Sequence, residues 1–225
     1  MRILQRGQRT KIQEEKRYDM KLTLIWDAYC GWCYGFDSVF HKFMARHPEI
    51  ELSIVSGGLF VENNSKPANS YSFFEQGNQQ IEKYYGVEFG SAYNAVLKSD
   101  MQLNSVHPAI AWSVIRKELK AEQLAECAFA IQKQFFYYGK SLSDIDTYTE
   151  LAPQFGLDAQ ELENSLKEVW NKEDAAYEDF REAGRLGAHS FPTLLAEHKG
   201  KVYDFKGSAR TVEDLEQNYQ ILLSR

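Results

Sequence analysis

The feature that most restricts the fold of this chain is a Cys-x-x-Cys motif placed directly between a strand pattern and a helix pattern. Residues 21–27 (KLTLIWD) form a short apolar run, which predicts a strand buried on both faces. From Cys30 to about residue 45, apolar residues recur at helical spacing, and Pro48 ends that pattern. Residues 49–56 (EIELSIVS) alternate and predict a second strand. The segment therefore predicts a βαβ unit with parallel strands.

The positions of the two cysteines predict different roles for them. Cys30 lies at the predicted N-terminus of the helix, where unpaired backbone N–H groups and the helix dipole stabilise a thiolate. Because the thiolate is the nucleophile in disulfide exchange, we expect Cys30 to attack a substrate disulfide. Cys33 lies one helical turn further on, and we expect it to resolve the mixed disulfide that forms. The motif thus predicts two-electron dithiol–disulfide exchange.

Two other uses of the cysteine pair stay open at this point. A zinc site needs four ligands, and the sequence offers neither a second Cys-x-x-Cys nor a histidine pair spaced to join the motif. We therefore predict no metal site. The pair alternatively packs as two small buried residues. A Cys-x-x-Cys beside a βαβ pattern more often carries redox chemistry, which is the interpretation we favour. The third cysteine, Cys127, is predicted to be a buried packing residue in a helix.

The middle of the chain, from about residue 71 to 186, has helical patterns and almost no strand signal. Helices are predicted at 72–85, from Ser105 as N-cap onward, and at 121–138, 143–155, 158–170 and 172–186. Strand patterns return at 193–198 and 201–205 and predict an antiparallel hairpin. A final amphipathic helix at 211–223 is predicted to be capped by Thr211. The order is βαβ, a long helical block, and ββα.

Composition and charge exclude several classes of protein. The net charge is −6 without a basic stripe, which argues against nucleic acid as a partner, and no apolar run is long enough to span a membrane. Residues 1–19 carry a net charge of +3 and lack the apolar run of a secretory signal. We interpret 1–19 as a disordered tail, an extension or a mis-assigned start. The lack of an export signal predicts a cytoplasmic location.

The predicted organisation of the rest is a first half at 20–58, a mainly helical insertion at 59–188 and a second half at 189–225.

A second candidate element of the site is the sequence Ser190-Phe191-Pro192-Thr193, immediately before a predicted strand. Proline cannot donate a backbone hydrogen bond to a sheet, so its place here is unusual. Only about 5–6% of X-Pro bonds in folded proteins are cis, so the residue type alone predicts a trans proline at a sheet edge.

Together, these motifs resemble the DsbA-like branch of the thioredoxin superfamily. The sequence Asp27-Ala-Tyr-Cys-Gly-Trp-Cys-Tyr34 is similar to the motif of the cytoplasmic predicted protein-disulfide isomerases of that branch. The resemblance is specific at residues 27–34 and 190–194 and covers 21–223 in organisation. It implies an α/β, thioredoxin-like fold (βαβ…ββα) with a large all-helical insertion.

The resemblance also implies roles for residues near the cysteines. In the family, the proline that matches Pro192 is cis and packs beside the cysteine pair, and the residue that matches Phe191 offers backbone groups to a bound substrate. Gly31 and Trp32 are candidate substrate contacts, although Trp32 alternatively packs on the insertion. Asp27 is a candidate for proton transfer with the second cysteine, or for a cap or turn, which is the role we favour.

The implied activity is that of a thiol–disulfide oxidoreductase or protein-disulfide isomerase that needs no external cofactor. The implied partners are protein or low-molecular-weight thiols and disulfides, glutathione among them, and an unidentified redox partner. Because the cytosol is reducing, reductase or isomerase work is the default expectation. Gly31-Trp32 lacks the histidine that periplasmic DsbA carries between its cysteines, which predicts a less oxidising centre.

Related families keep two alternatives open. Kappa-class glutathione transferases and chromene-carboxylate isomerases share the topology but carry serine where Cys30 stands, and their chemistry depends on bound glutathione. The cysteine pair disfavours that interpretation. Adaptor proteins that deliver a transcription regulator to a protease can keep cysteine motifs, so a non-catalytic adaptor is the other alternative.

Overall fold

A four-stranded sheet lies at the centre of the computed structural model, which describes residues 20–225. The interpretation of residues 1–19 therefore falls outside the described residues. The strands are β1 Met20–Trp26, β2 Glu51–Ser56, β3 Thr193–His198 and β4 Lys201–Asp204, in the order β2-β1-β3-β4. β1 pairs parallel with β2 and antiparallel with β3, and β3 pairs antiparallel with β4. The predicted parallel βαβ unit and the predicted hairpin are both confirmed.

Nine α-helices surround the sheet in the described part of the chain. They are α1 Gly31–Arg46, α2 Phe74–Tyr85, α3 Ser91–Val96, α4 Val106–Glu118, α5 Leu124–Phe136, α6 Ile145–Thr149, α7 Ala159–Val169, α8 Asp174–Arg185 and α9 Val212–Leu223. The sequence did not predict α3. The predicted helix at 143–155 is instead the short α6 and a separate 3-10 turn at 152–155. Pro153 lies in that turn and has no N–H with which to continue an α-helix.

Helix capping is predicted correctly at α9 but not at α4. Thr211 accepts a hydrogen bond from the N–H of Asp214, as predicted for a cap. Ser105 occupies the N-cap position of α4, but its hydroxyl accepts a hydrogen bond from the N–H of Phe60 at 2.9 Å. Asn104 instead accepts from the first N–H of α4. Ser105 therefore joins the loop after β2 to the start of α4.

The two faces of the sheet are covered to different extents. The even-numbered residues of β1 are buried along its whole length in the core shared with α1. On the other face, Ile25 packs with Val55 of β2 and Ala183 of α8. Further back on that face, Lys21 and Glu51 form an ion pair at 3.1 Å with both side chains partly exposed. The predicted burial of β1 on both faces is therefore correct only at its C-terminal end, where α8 covers it.

The outer edge of β2 is bonded to side chains of the helical segment. Trp112 Nε1 and Arg116 Nη1 each donate to the carbonyl of Ile54 at 3.0 Å. The Asp179 carboxylate accepts from the N–H of Ser56 at 3.0 Å and forms two bonds with Arg116, at 2.8 and 2.9 Å. Because backbone groups at a sheet edge otherwise need water or another strand, these bonds satisfy the edge near the C-terminal end of β2. They also fix α4 and α8 to the sheet.

Two glycines bring α2 close to the start of α1. A Cβ on Gly35 would lie 2.6 Å from atoms of both Ile81 and Tyr85, and a Cβ on Gly31 would lie 3.1 Å from the Cδ1 atom of Ile81. Such distances are shorter than packed carbon atoms adopt at contact. Glycine at these positions therefore allows α2 to pack directly on the first turns of α1, where the cysteine motif lies.

We expect Arg116→Met to lower the free energy of unfolding by about 2–3 kcal/mol, because it leaves the buried Asp179 carboxylate without its charged partner. Chemical denaturation measures the change. The control is Arg185→Met, which breaks an exposed ion pair with Glu182 and should cost less than about 0.5 kcal/mol. Equal effects of the two substitutions would contradict the role assigned to Arg116.

Candidate active site

The sulfur of Cys30 takes the place of a capping oxygen at the N-terminus of α1. Cys30 is the N-cap residue, with φ −82° and ψ 111°, and its Sγ accepts a hydrogen bond from the N–H of Cys33 at 3.4 Å. Where a side chain makes such a capping bond, the acceptor is usually an oxygen of Ser, Thr, Asp or Asn. The sulfur therefore lies at the positive end of the helix dipole, where a thiolate is stabilised.

Phe191 and Pro192, far along the chain, lie beside the cysteine motif. The Phe191–Pro192 peptide bond is cis, and the Cys30 thiol donates to the carbonyl oxygen of Phe191 at 3.6 Å. The Phe191 ring packs over Gly57, because a Cβ at that glycine would lie 2.2 Å from the ring. Gly57 thus makes room for the ring directly after β2. The structure brings together both sequence motifs on which the resemblance rests.

The two cysteines differ in their access to solvent and to the cavity beside them. The structure does not join them in a disulfide. Cys30 is 6% exposed and lines a cavity, whereas Cys33 is 0% exposed. Burial, followed by the hydrogen bond and charge of Cys30 and the charge of Asp37, raises the pKa of Cys33 well above its ordinary value. A substrate that enters the cavity therefore meets Cys30 first.

Asp27 binds the turn before the motif to the loop after β2. Its carboxylate is buried and accepts from the N–H of Tyr29 at 2.9 Å and from the N–H of Leu59 at 2.8 Å. Burial raises the pKa of Asp27, and these hydrogen bonds oppose the rise. The geometry is that of a turn residue, which is the role the sequence favoured.

Asp37 is a residue near the site that sequence reasoning missed. It is 1% exposed, and neither carboxylate oxygen has a hydrogen-bond partner within residues 20–225. Burial raises its pKa well above the ordinary value. It follows Cys33 by four residues on α1, so both lie on the same face of the helix. The apolar spacing of Phe36 and Phe40 would have revealed it, since Asp37 falls on the same buried stripe.

Lys206 is a second residue that the sequence did not single out. It lies in the segment after β4 and is half-buried, with its Nζ 5.4 Å from the centre of the Phe36 ring. Burial lowers the pKa of Lys206, while the negative charges of Asp204 and Cys33 raise it. A cation thus lies within electrostatic range of the inner cysteine. Its distance along the chain from the motif explains why no sequence pattern indicated it.

A cavity of about 340 Å³ opens between the cysteine motif and the helical segment. Cys30, Gly31 and Trp32 form one wall, and residues of α2, α5 and the loop after β2 form the others. Trp32 is 37% exposed, and its ring centre lies 5.9 Å from that of Tyr84. Trp32 therefore contacts both the insertion and solvent. Gly31 lines the cavity and also makes room for α2.

Residues 20–225 contain neither a cluster of side chains that would hold a metal ion nor a helix that could cross a membrane. Within residues 20–225, no three or more His, Cys, Asp or Glu side chains gather in a way that would hold a metal ion. None of the helices in the same part of the chain is long and apolar enough to cross a membrane.

Solved structures with the same fold include several disulfide-exchange proteins. The cytosolic disulfide reductase DsbM from Pseudomonas aeruginosa is 20% identical, with a TM-score of 0.74 over 91% of this chain and 98% of that protein. The same reductase with GSH gives 19% identity and a TM-score of 0.73 over 91% of this chain and 100% of that one. A predicted protein disulfide isomerase from Nitrosomonas europaea is 18% identical, with a TM-score of 0.73 over 91% of this chain and 98% of that one. At these identities the likeness shows a shared fold.

A search of the curated proteins finds no match. The sequence model of the DSBA-like thioredoxin domain, in contrast, matches residues 21–220, which is nearly all of the described chain. The matched range includes the cysteine pair at the start of α1 and the Phe191–Pro192 segment beside it. The resemblance seen in the sequence is confirmed: this chain belongs to the DSBA-like thioredoxin domain family.

Proposed function

We propose that this protein is a thiol–disulfide oxidoreductase in which Cys30 attacks the substrate and Cys33 resolves the mixed disulfide. The observation that carries the proposal is the position of the Cys30 sulfur. It lies at the N-terminus of α1, 3.4 Å from the Cys33 N–H and 3.6 Å from the Phe191 carbonyl. Backbone donors at this end of the helix favour the thiolate, the reactive form.

The difference in burial supports the assignment of the two roles. Cys30 borders the cavity, while Cys33 is fully buried behind it on the first turn of α1. A substrate sulfur therefore bonds to Cys30, and the internal attack by Cys33 then breaks that bond and forms the Cys30–Cys33 disulfide. The Phe191 backbone beside Cys30 is suited to pair with an extended protein substrate.

Asp37 is suited to accept the proton that Cys33 must lose before it attacks. The raised pKa of Cys33 means that its thiol needs a proton acceptor. Asp37 lies on the same face of α1, and its charge acts on Cys33. Because burial shifts the Asp37 pKa upward, its carboxylate is a stronger base than an exposed aspartate. Asp27 is less suited to this role, since its carboxylate already accepts two backbone bonds.

Glutathione is a candidate for the low-molecular-weight thiol that exchanges with the cysteine pair. The support is that the P. aeruginosa reductase of the same fold has a structure with GSH. The description of that reductase as cytosolic likewise supports a cytoplasmic site of action here. In a reducing compartment, the pair would be kept reduced and would act as a reductase or an isomerase.

We expect Cys30→Ser to abolish reduction of insulin disulfides, and Cys33→Ser to accumulate mixed disulfides that survive non-reducing electrophoresis. The matched control is Cys127→Ala. Burial raises the pKa of Cys127 to about 12, so this cysteine should be inert and its loss should leave activity unchanged.

The same variants discriminate between the alternative functions. Full activity in Cys33→Ser would favour a glutathione-dependent enzyme of the kappa type. An adaptor would be favoured by two results together. The wild-type protein would not reduce insulin, and a protein partner would stay bound after both Cys30 and Cys33 are replaced. Mass spectrometry of the proteins trapped by Cys33→Ser identifies the substrates if the proposal is correct.

We expect Asp37→Asn to stabilise the protein at pH 7. The raised pKa means that the folded state binds a proton more tightly than the unfolded state, whose carboxyl has a pKa near 3.8. Stability therefore falls as pH rises from that value to the folded pKa. The amide of the variant mimics the protonated carboxyl and escapes this loss, which is about 1.4 kcal/mol per pH unit over that interval. Denaturant unfolding at several pH values should show the gain shrinking toward zero as the pH falls below about 3.8.

We expect the same substitution, Asp37→Asn, to slow the resolving step by about 10²-fold, because Cys33 loses its proton acceptor. Rapid-mixing experiments should show an unchanged attack by Cys30 followed by slow decay of the mixed disulfide. Unchanged decay of the mixed disulfide in the folded variant would exclude Asp37 as the acceptor.

A further inference from the structure

The cavity beside Cys30 is bounded on one side by a single face of α2. Phe74, Gly77, Asn78 and Ile81 line it, and their spacing of three and four residues places them on one side of the helix. Three of these residues carry side chains, and Gly77 does not. The middle of this wall is therefore open.

Nothing in the packing of residues 20–225 requires glycine at position 77. Its φ lies outside the left-handed region, and no atom within that range, beyond its chain neighbours and its own helix, lies within 4 Å of the place of a Cβ. Glycine is also the least favoured residue in a helix interior after proline. Gly31 and Gly35, in contrast, are each needed for the close contact with Ile81. Glycine at position 77 therefore leaves this part of the cavity wall without a side chain.

The walls of the cavity are uncharged and largely aromatic. Among the described residues that line it there is no Lys, Arg, His, Asp or Glu, and Trp32, Phe60, Phe74 and Phe136 contribute rings. Burial of a charged group without a partner is strongly unfavourable, whereas an aromatic group gains contacts with such rings. The cavity is therefore suited to a neutral aromatic or apolar group.

The size of the cavity and the position of the thiol point to a small molecule. Its volume, about 340 Å³, lies within the range of roughly 300–1,000 Å³ found for small-molecule sites. Cys30 lines it, whereas Phe191 and Pro192 lie outside its lining. A group held here reaches the Cys30 sulfur without occupying the Phe191 backbone, where an extended protein substrate would pair.

We propose that the cavity binds the uncharged aromatic or apolar substituent of a low-molecular-weight disulfide, and that Gly77 sets the size of the substituent it accepts. This inference rests on the proposed oxidoreductase function. The cavity adds a class of substrate to that function, and Gly77 becomes a residue that determines specificity.

The reaction balances without a further cofactor. The Cys30 thiolate attacks the sulfur that carries the bound substituent; a Cys30–sulfur bond forms, the substrate S–S bond breaks, and the other half of the substrate leaves as a thiolate that takes a proton from water. Cys33 then attacks Cys30 and releases the second thiol. The substrate gains two electrons, and the cysteine pair loses them. Two equivalents of a low-molecular-weight thiol reduce the pair again.

The test compares Gly77→Leu with Gly184→Leu. Gly184 is an exposed glycine of α8 that likewise has no atom within 4 Å of the place of a Cβ, and no left-handed φ. Each reduced protein is mixed with 4,4′-dithiodipyridine, a neutral aromatic disulfide, and separately with 2-hydroxyethyl disulfide, which is neutral but small. The second-order rate constant of enzyme oxidation is measured, and unfolding midpoints show that both variants are folded.

We expect Gly77→Leu to lower the rate constant with the aromatic disulfide by about tenfold or more, and with the small disulfide by less than about twofold. Gly77→Ala should show a smaller decrease with the aromatic disulfide, and Gly184→Leu none. If the wild-type protein reduces both disulfides and Gly77→Leu changes both rate constants by the same factor relative to wild type, the cavity assignment fails and the oxidoreductase function stands. If the wild-type protein reduces neither, the proposed function fails and this inference falls with it.

Discussion

The backbone N–H groups at the start of α1 need hydrogen-bond acceptors, and the structure around the site supplies some of them. The first N–H groups of a helix have no partners within the helix. Here the Cys30 sulfur accepts one of them, and the N–H of Cys30 itself donates to the carbonyl of Asp27. Gln132 of α5 donates to the same carbonyl. The helical segment and the strand end are therefore both bonded to the turn from which the Cys30 sulfur projects.

Three buried aspartates, Asp27, Asp179 and Asp37, illustrate two ways of accommodating a buried carboxyl group. Asp27 and Asp179 each accept backbone N–H bonds and hold chain segments together. The buried carboxylate of Asp37 has no hydrogen-bond partner within residues 20–225. An unpaired buried carboxyl lowers stability, so its retention is understandable if it acts on a neighbour. The neighbour on its face of the helix is Cys33.

The sequence predicted those parts of the fold and the site that depend on local pattern. The alternation at 49–56, the helical spacing after Cys30 and the hairpin signal around Gly200 each identified an element that the structure contains. Ser105 shows where local reasoning fails. Its hydroxyl accepts a hydrogen bond from the N–H of Phe60, in the loop after β2, and so does not cap α4. Lys206 and the cavity wall at Gly77 depend on how distant segments pack, which no local pattern specifies. Asp37 is different, since its place on the buried face of α1 could have been found from the spacing.

The loop that follows β2 has neighbours on two sides. Gly57 supports the Phe191 ring, while Leu59, two residues later, donates to Asp27 and lines the cavity beside Cys30. The Phe191 ring and the cavity beside Cys30 therefore share this one short segment as a common wall. The two sides of the Cys30 sulfur, the Phe191 carbonyl on one and the cavity on the other, thus rest on the same three residues of chain, 57–59.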